Sequence, residues 1–129
     1  MIIKYASDLH VTLNKDYFNV SENYIIDKLN LDNVDILILA GDTDEYPNNL
    51  SFCEILLNKY PKLKIIEIGG NHLYYSGLRL CKSIQEIDED CRKFSEIENR
   101  YFYLNNNTAS IKPRPKATDK TSDSTNLSK

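Results

Sequence analysis

The sequence lacks the residues that would mark several classes of protein. It has three cysteines without Cys-x-x-Cys spacing, which excludes a disulfide framework and a zinc knuckle and is typical of a reducing compartment. No apolar run approaches the roughly 20 residues that a membrane-spanning helix needs. The first residues enter a predicted strand at once, which leaves no room for a signal peptide. We therefore expect a cytoplasmic protein that does not bind membranes.

Basic residues are scarce in the main part of the chain. Residues 1–104 contain 11 Lys and Arg against 17 Asp and Glu, whereas residues 105–129 contain five against two. An acidic body disfavours nucleic acid as a partner, since phosphate contacts need clustered Lys and Arg. It is compatible with a phosphate site in which bound cations supply the positive field.

Short apolar runs alternate with helical patterns over the first 104 residues. The runs that predict strands lie at residues 2–6, 35–40, 63–68 and 101–104. Helices are predicted over residues 21–31, which Ser21 can cap, and over residues 49–60. The longest helix carries an apolar stripe formed by Leu80, Ile84, Ile87, Cys91 and Phe94. This alternation predicts an α/β fold with a mainly parallel sheet.

The last residues differ in composition from the rest of the chain. Residues 105–129 are dominated by Asn, Thr, Ser and Lys, with Pro113 and Pro115 among them. Such a segment buries too little apolar surface to offset the entropy of ordering it. We expect one domain over residues 1–111, followed by a low-complexity, disordered tail over residues 112–129.

Three short polar clusters follow three of the predicted strands directly. They are Asp8-Leu9-His10, Gly41-Asp42 and Gly70-Asn71-His72, and they contain both histidines of the chain. In open α/β sheets, ligands gather outside the carboxyl ends of the strands. Asp8 and His10 flank a single residue, so in extended geometry their side chains point to the same side and could meet one ion. The Asp42 carboxylate could bridge two cations.

The third cluster adds two further candidates. Asn71 offers a neutral amide oxygen as a ligand for a second ion. His72 is adjacent and projects differently, so it could stay off the metal and act as a general acid.

The order of these motifs, Asp-x-His, then Gly-Asp, then Gly-Asn-His, resembles the calcineurin-like metallophosphoesterases over about residues 1–111. That resemblance implies a four-layer αββα sandwich around a dinuclear centre of Mn, Fe or Zn. It implies that Asp8 and His10 bind the first metal. Asp42 would bridge both metals, and Asn71 would bind the second. His72 would protonate the leaving group or hold the phosphate while a metal-bound hydroxide attacks a phosphoester, either a small molecule or a phosphoprotein.

The chain departs from the family pattern after His72. The family completes its site with a later histidine and a Gly-His-x-His motif, and no histidine follows His72 here. The second metal would have only Asp42 and Asn71, fewer than the about six ligands that Mn or Mg prefers. We therefore expect the N-terminal half of the family fold, from a truncated or frameshifted copy. One metal position would be poorly filled, and activity would be weak or absent.

Other interpretations of the same residues stay open. A non-catalytic interaction protein that has kept the fold, or a degenerate remnant, would show the same motifs. Four strands with one set of helices would leave one apolar sheet face uncovered, which predicts self-association through that face. The acidic run at Glu86 and residues 88–90 lacks the spacing of an EF-hand and predicts a solvated helix face.

Overall fold

The computed structural model describes residues 1–105, 109–111, 127 and 128 of the chain. These residues form a parallel four-stranded sheet, in the order β1-β2-β3-β4, with five α-helices. The strands are β1 (Ile3–Ala6), β2 (Ile36–Ala40), β3 (Lys64–Ile68) and β4 (Tyr101–Leu104). The helices are α1 (Val11–Phe18), α2 (Glu22–Leu29), α3 (Asn48–Lys59), α4 (Gly77–Leu80) and α5 (Ile84–Ile97). The predicted α/β class with a parallel sheet is confirmed.

The three predicted helices are present in the structure, but the residues at which they begin and end differ from the prediction. Ser21 caps α2, because its side chain accepts the N–H of Tyr24 at 3.1 Å. The longest helix, α5, begins only at Ile84, where Ser83 closes a capping box. Leu80 therefore belongs to α4 and not to the predicted stripe. Helix α1 was not predicted, since its apolar residues do not recur at steps of three and four and only Val11 is buried.

The helices cover one face of the sheet. Strands that follow one another in sequential order through right-handed crossovers bring every connecting helix to the same side. The core takes alternate strand residues from that side, each at most 3% exposed: Leu37, Leu39, Ile65, Tyr101 and Tyr103.

The opposite face carries the intervening strand residues, which lie outside this core. Ile3, Tyr5 and Ile68 are 53%, 82% and 42% exposed, whereas Ile36 and Phe102 are buried. On the face that the sequence predicts to be uncovered, side chains along β1 and at the end of β3 are thus exposed, whereas Ile36 and Phe102 are not. Self-association through this face stays a prediction.

Buried carboxylates lie on the helix side of the sheet. Glu67, in β3, accepts the hydroxyl of Tyr101 at 2.6 Å and the amide N–H of Asn49 at 3.0 Å. Burial raises the pKa of Glu67 above its usual range. The prediction that the acidic run of α5 is solvated is wrong for Asp88, which is 7% exposed. Hydroxyl and amide donors surround its carboxylate, so burial does not leave it unsatisfied.

The predicted tail lies outside the described residues, apart from Leu127–Ser128. The backbone of that pair runs antiparallel to Ser110–Ile111 in a two-stranded ladder. Within the described part of the chain, no helix has both the length and the apolar character needed to cross a membrane.

Candidate metal site at the carboxyl edge of the sheet

The loops after β1 and β2 run side by side and carry unusual backbone angles. The N–H of Asp8 donates to the carbonyl of Gly41 at 3.0 Å, and the N–H of His10 donates to the carbonyl of Asp42 at 3.1 Å. Asp8, His10 and Asp42 all have positive φ, of 56°, 43° and 53°. A left-handed conformation costs a non-glycine residue of order 1 kcal/mol or more, and such residues cluster at functional sites. Three residues that the sequence predicts to be metal ligands therefore have strained backbone conformations.

Asp42 is held against the loop after β3. Its Oδ1 accepts the backbone N–H of His72 at 3.1 Å. A Cβ at position 70 would overlap the Asp42 carboxylate and would lie 2.7 Å from its Cγ, so Gly70 is required for this approach. The glycine of the third motif thus makes room for the aspartate of the second.

Three ligand-type side chains converge at this edge. One nitrogen each from His10 and His72 and one carboxylate oxygen from Asp42 all lie within 4.8 Å of one another. The two imidazole rings meet edge to face with centroids 4.6 Å apart. Ligands of tetrahedral Zn²⁺ lie about 3.4 Å apart, given metal–ligand bonds of about 2.1 Å. Small side-chain rotations would bring these three residues, hereafter the ligand trio, onto one ion.

The other two predicted ligands lie beside the trio. Asp8 Oδ1 is 3.8 Å from Nε2 of His10, and its side chain is 65% exposed. It is placed to join an ion or to orient the imidazole. Asn71 is exposed, and its amide nitrogen donates to the hydroxyl of Tyr75 at 2.9 Å. The ring of Tyr75 also contacts His72, with centroids 4.4 Å apart.

The geometry places His72 differently from its predicted role. The sequence assigned it to acid catalysis, away from the metal, yet its imidazole lies in the trio with His10 and Asp42. Both roles stay predictions. Elsewhere in the described chain, no three His, Cys, Asp or Glu side chains meet this closely.

A cleft of about 310 Å³ opens beside the trio. Its walls come from α1 and the loops after β2 and β3, and they consist of His10, Thr12, Leu13, Asp16, Tyr17, Asp44, Glu45, His72 and Tyr75. Three of these side chains are carboxylic acids, and none is Lys or Arg. A phosphate group would therefore be repelled unless a bound cation reversed the local field.

Sequence reasoning missed the α1 wall of this cleft. The only local signal was Asn19, which ends α1 in the left-handed conformation that asparagine tolerates. Asp44 lines the cleft but has a structural role, since its carboxylate accepts the N–H and the hydroxyl of Thr12 and the N–H of Glu45. It fastens the first turn of α1 to the loop after β2.

Comparison with known proteins finds no matching family model, no matching curated protein and no matching solved structure. The function must therefore be argued from the residues of this chain.

Proposed function

We propose that this chain is a metallophosphoesterase-like protein that binds a divalent metal ion and hydrolyses a phosphoester weakly. The observation that carries the proposal is the convergence of His10, Asp42 and His72 within 4.8 Å at the carboxyl edge of a parallel sheet. Its members follow three successive strands, in the order of the Asp-x-His, Gly-Asp and Gly-Asn-His motifs. The order of the three motifs, their spacing along the chain and the convergence of their side chains together support the resemblance to metallophosphoesterases.

The donor set fits a transition-metal ion. Two imidazoles and one carboxylate are ligands that Zn, Fe and Mn accept, and three protein ligands leave positions open for water and substrate. When bound, such an ion would acidify water and neutralise charge on the phosphoryl oxygens. The described residues supply one such trio, which is why we propose one well-filled metal position and slow turnover.

The surrounding residues have separable roles in this proposal. Asp8, whose Oδ1 lies 3.8 Å from Nε2 of His10, would orient that imidazole from its exposed side. Tyr75 packs on His72 and takes the amide N–H of Asn71, so it fixes the mouth of the site. No Lys or Arg lines the cleft, so we expect the metal-free protein to bind phosphate weakly.

The four-layer sandwich is the finer part of the proposal. The described sheet with its helices on one side would be one half of it, an α layer and a β layer. The exposed apolar side chains of Ile3, Tyr5 and Ile68 are what a second sheet would cover.

The same exposed face favours a second candidate, a non-catalytic protein that self-associates. A second copy offers an identical apolar surface, which suits a two-fold interface. Four strands about 4.8 Å apart and about 17 Å long give a face of only about 330 Å². Two such faces fall well below the about 1,200 Å² of a stable interface, so the association would be weak and concentration-dependent.

Hydrolysis with defined metals tests the first candidate. We expect Mn²⁺ to support slow hydrolysis of p-nitrophenyl phosphate or its bis-ester, and Asp42→Ala to abolish it. Asp32→Ala, at an exposed aspartate in the turn before β2 and at the opposite end of that strand from Asp42, is the matched control and should keep the rate. Equal rates for the unmodified chain, Asp42→Ala and buffer would rule out the enzyme.

Sedimentation equilibrium tests the second candidate. A mass that rises with protein concentration and falls in Tyr5→Ser would support self-association through the sheet face. A monomer at every concentration would exclude it.

A further inference from the structure

The acidic residues of α5 reach back to the segment that carries Asn71 and His72. Residues 71–83, hereafter the site segment, run from the third polar motif to the start of α5. Asp88 and Asp90 lie one and a half turns inside that helix. Both carboxylates accept hydrogen bonds from this segment, which the sequence pattern alone did not indicate.

Asp88 joins three parts of the fold. Its Oδ1 accepts the hydroxyls of Tyr74 and Tyr103, each at 2.6 Å, and its Oδ2 accepts the amide N–H of Asn105 at 2.9 Å. Tyr74 ends the short 3₁₀-helix Asn71–Tyr74, two residues beyond His72. The Asp88–Tyr74 bond therefore ties the imidazole-bearing turn to a long, well-capped helix.

Asp90 supports the same segment from its far end. Its Oδ2 accepts the Nζ–H of Lys82 at 2.9 Å and the hydroxyl of Tyr46 at 2.6 Å. The backbone N–H of Tyr46 in turn donates to the carbonyl of Leu73 at 3.0 Å, and the backbone carbonyl of Tyr46 accepts the hydroxyl of Ser76. The site segment is thus held at Leu73, Ser76 and Lys82 by Tyr46 and Asp90. Of the two acids, Asp88 has the direct partner nearest to His72, namely Tyr74.

We propose that Asp88 is a positioning residue for the metal site, acting through Tyr74 on His72. The inference rests on the proposed function, because it assigns His72 to an ion. Three ligands fix an ion tightly only if their separations are set before binding. Asp42 already receives the N–H of His72, so a shift of this turn would move two members of the trio together.

The hydrogen-bond geometry supplies a matched pair of variants. Tyr74→Phe and Tyr103→Phe each remove one hydroxyl that donates at 2.6 Å to the same oxygen of Asp88. Both keep the ring, leave one hydroxyl on the carboxylate and remove the same 3.3 Å hydrogen bond between the two hydroxyls. Only Tyr74 lies in the site segment, since Tyr103 belongs to β4. A purely structural role for Asp88 predicts equal effects of the two variants.

The first measurement is Zn²⁺ or Mn²⁺ affinity by competition with a chromophoric chelator. Partners that orient metal ligands typically change affinity about 10–100-fold. We expect Tyr74→Phe to weaken binding at least about tenfold and Tyr103→Phe to change it less than about twofold. Asp88→Asn, which keeps an acceptor oxygen, should recover most of the affinity that Asp88→Ala loses. Equal losses in the two tyrosine variants would overturn the proposal.

The second measurement needs no metal. Amide hydrogen exchange of His72 reports its bond to Asp42 in the metal-free protein. We expect faster exchange in Tyr74→Phe and unchanged exchange in Tyr103→Phe. If the unmodified chain binds no metal but this difference is found, the proposed function fails, and only the restraint that Asp88 places on the His72 turn through Tyr74 stands. If exchange is the same in both variants, the positioning role is wrong even when metal binds.

Discussion

The carboxylates beneath the helices and those at the carboxyl edge of the sheet receive very different partners. Glu67 and Asp88 are buried and accept hydroxyl and amide donors at 2.6–3.0 Å. Asp42 receives one backbone N–H and faces two imidazoles, and Asp8 lies exposed beside His10. Carboxylates saturated by neutral donors hold a fold together, whereas carboxylates that converge with imidazoles are arranged for a cation. The difference separates structural from functional acids in one small domain.

Removing a buried carboxylate should give the largest loss of stability. Glu67→Ala leaves a cavity and deprives Tyr101 and Asn49 of their acceptor. We expect unfolding free energy to fall by about 3–4 kcal/mol, measured by urea denaturation followed by circular dichroism. A loss below about 1 kcal/mol would mean that the buried acid contributes no more than a surface residue.

Adding a side-chain atom at Gly70, beside the Asp42 carboxylate, should give the next largest effect, which is a loss of metal affinity. The new Cβ of Gly70→Ala would overlap the Asp42 carboxylate and push it out of the trio. We expect metal affinity to fall at least tenfold, which corresponds to about 1.4 kcal/mol. Asp32→Ala serves as the control and should bind as the unmodified chain does. Unchanged affinity in Gly70→Ala would show that Asp42 is not a ligand.

The pH dependence of stability should expose the raised pKa of Glu67. A carboxyl whose pKa is higher in the folded state stabilises the fold fully below its ordinary value of 4.5, and this stabilisation is lost as pH rises through the raised value. Each unit of the rise corresponds to about 1.4 kcal/mol. We expect Glu67→Gln to remove that loss, so its stability relative to the unmodified chain should increase as pH rises above about 4.5. If the stability of the two proteins changes with pH in parallel, Glu67 does not have a raised pKa in the folded state.

Neutralising the edge carboxylate should have the smallest effect on the metal-free fold. Asp42→Asn keeps the size of the side chain and an oxygen for the His72 N–H, and asparagine tolerates positive φ. We expect stability to change by less than about 0.5 kcal/mol, or to rise slightly. A loss above about 1.5 kcal/mol would place Asp42 among the structural acids.

The strands and the positions of the polar clusters could be predicted from the sequence because both depend on local pattern. Continuous apolar runs identified β2 and β3, and the clusters after them lie at one sheet edge as expected. The role of Asp88 could not be predicted in this way. Hydrophobic periodicity indicates only that Asp88 is a charged residue next to an apolar stripe. It does not indicate that the hydroxyls of Tyr74 and Tyr103, 14 and 15 residues away in sequence, bond to its carboxylate.

The internal arrangement of the candidate site was only partly predictable. Extended geometry was expected to point Asp8 and His10 to one side. The structure instead gives both residues left-handed backbone angles, and their N–H groups donate to Gly41 and Asp42 in the loop after β2. His72 meets His10 and Asp42 because Gly70 permits the two loops to touch. Such close approaches depend on tertiary contacts that strand and helix patterns do not encode.

Metal titration of the purified chain tests the central claim most directly. Equilibrium dialysis with Zn²⁺ and Mn²⁺ should give one tightly bound ion per chain, and unfolding free energy should rise by about 2.7 kcal/mol at a free metal concentration 100 times Kd. His10→Ala and His72→Ala should each abolish this binding, whereas Asp32→Ala should keep it. Binding that is absent at millimolar metal, or that survives both histidine substitutions, would contradict a metal site formed by His10, Asp42 and His72.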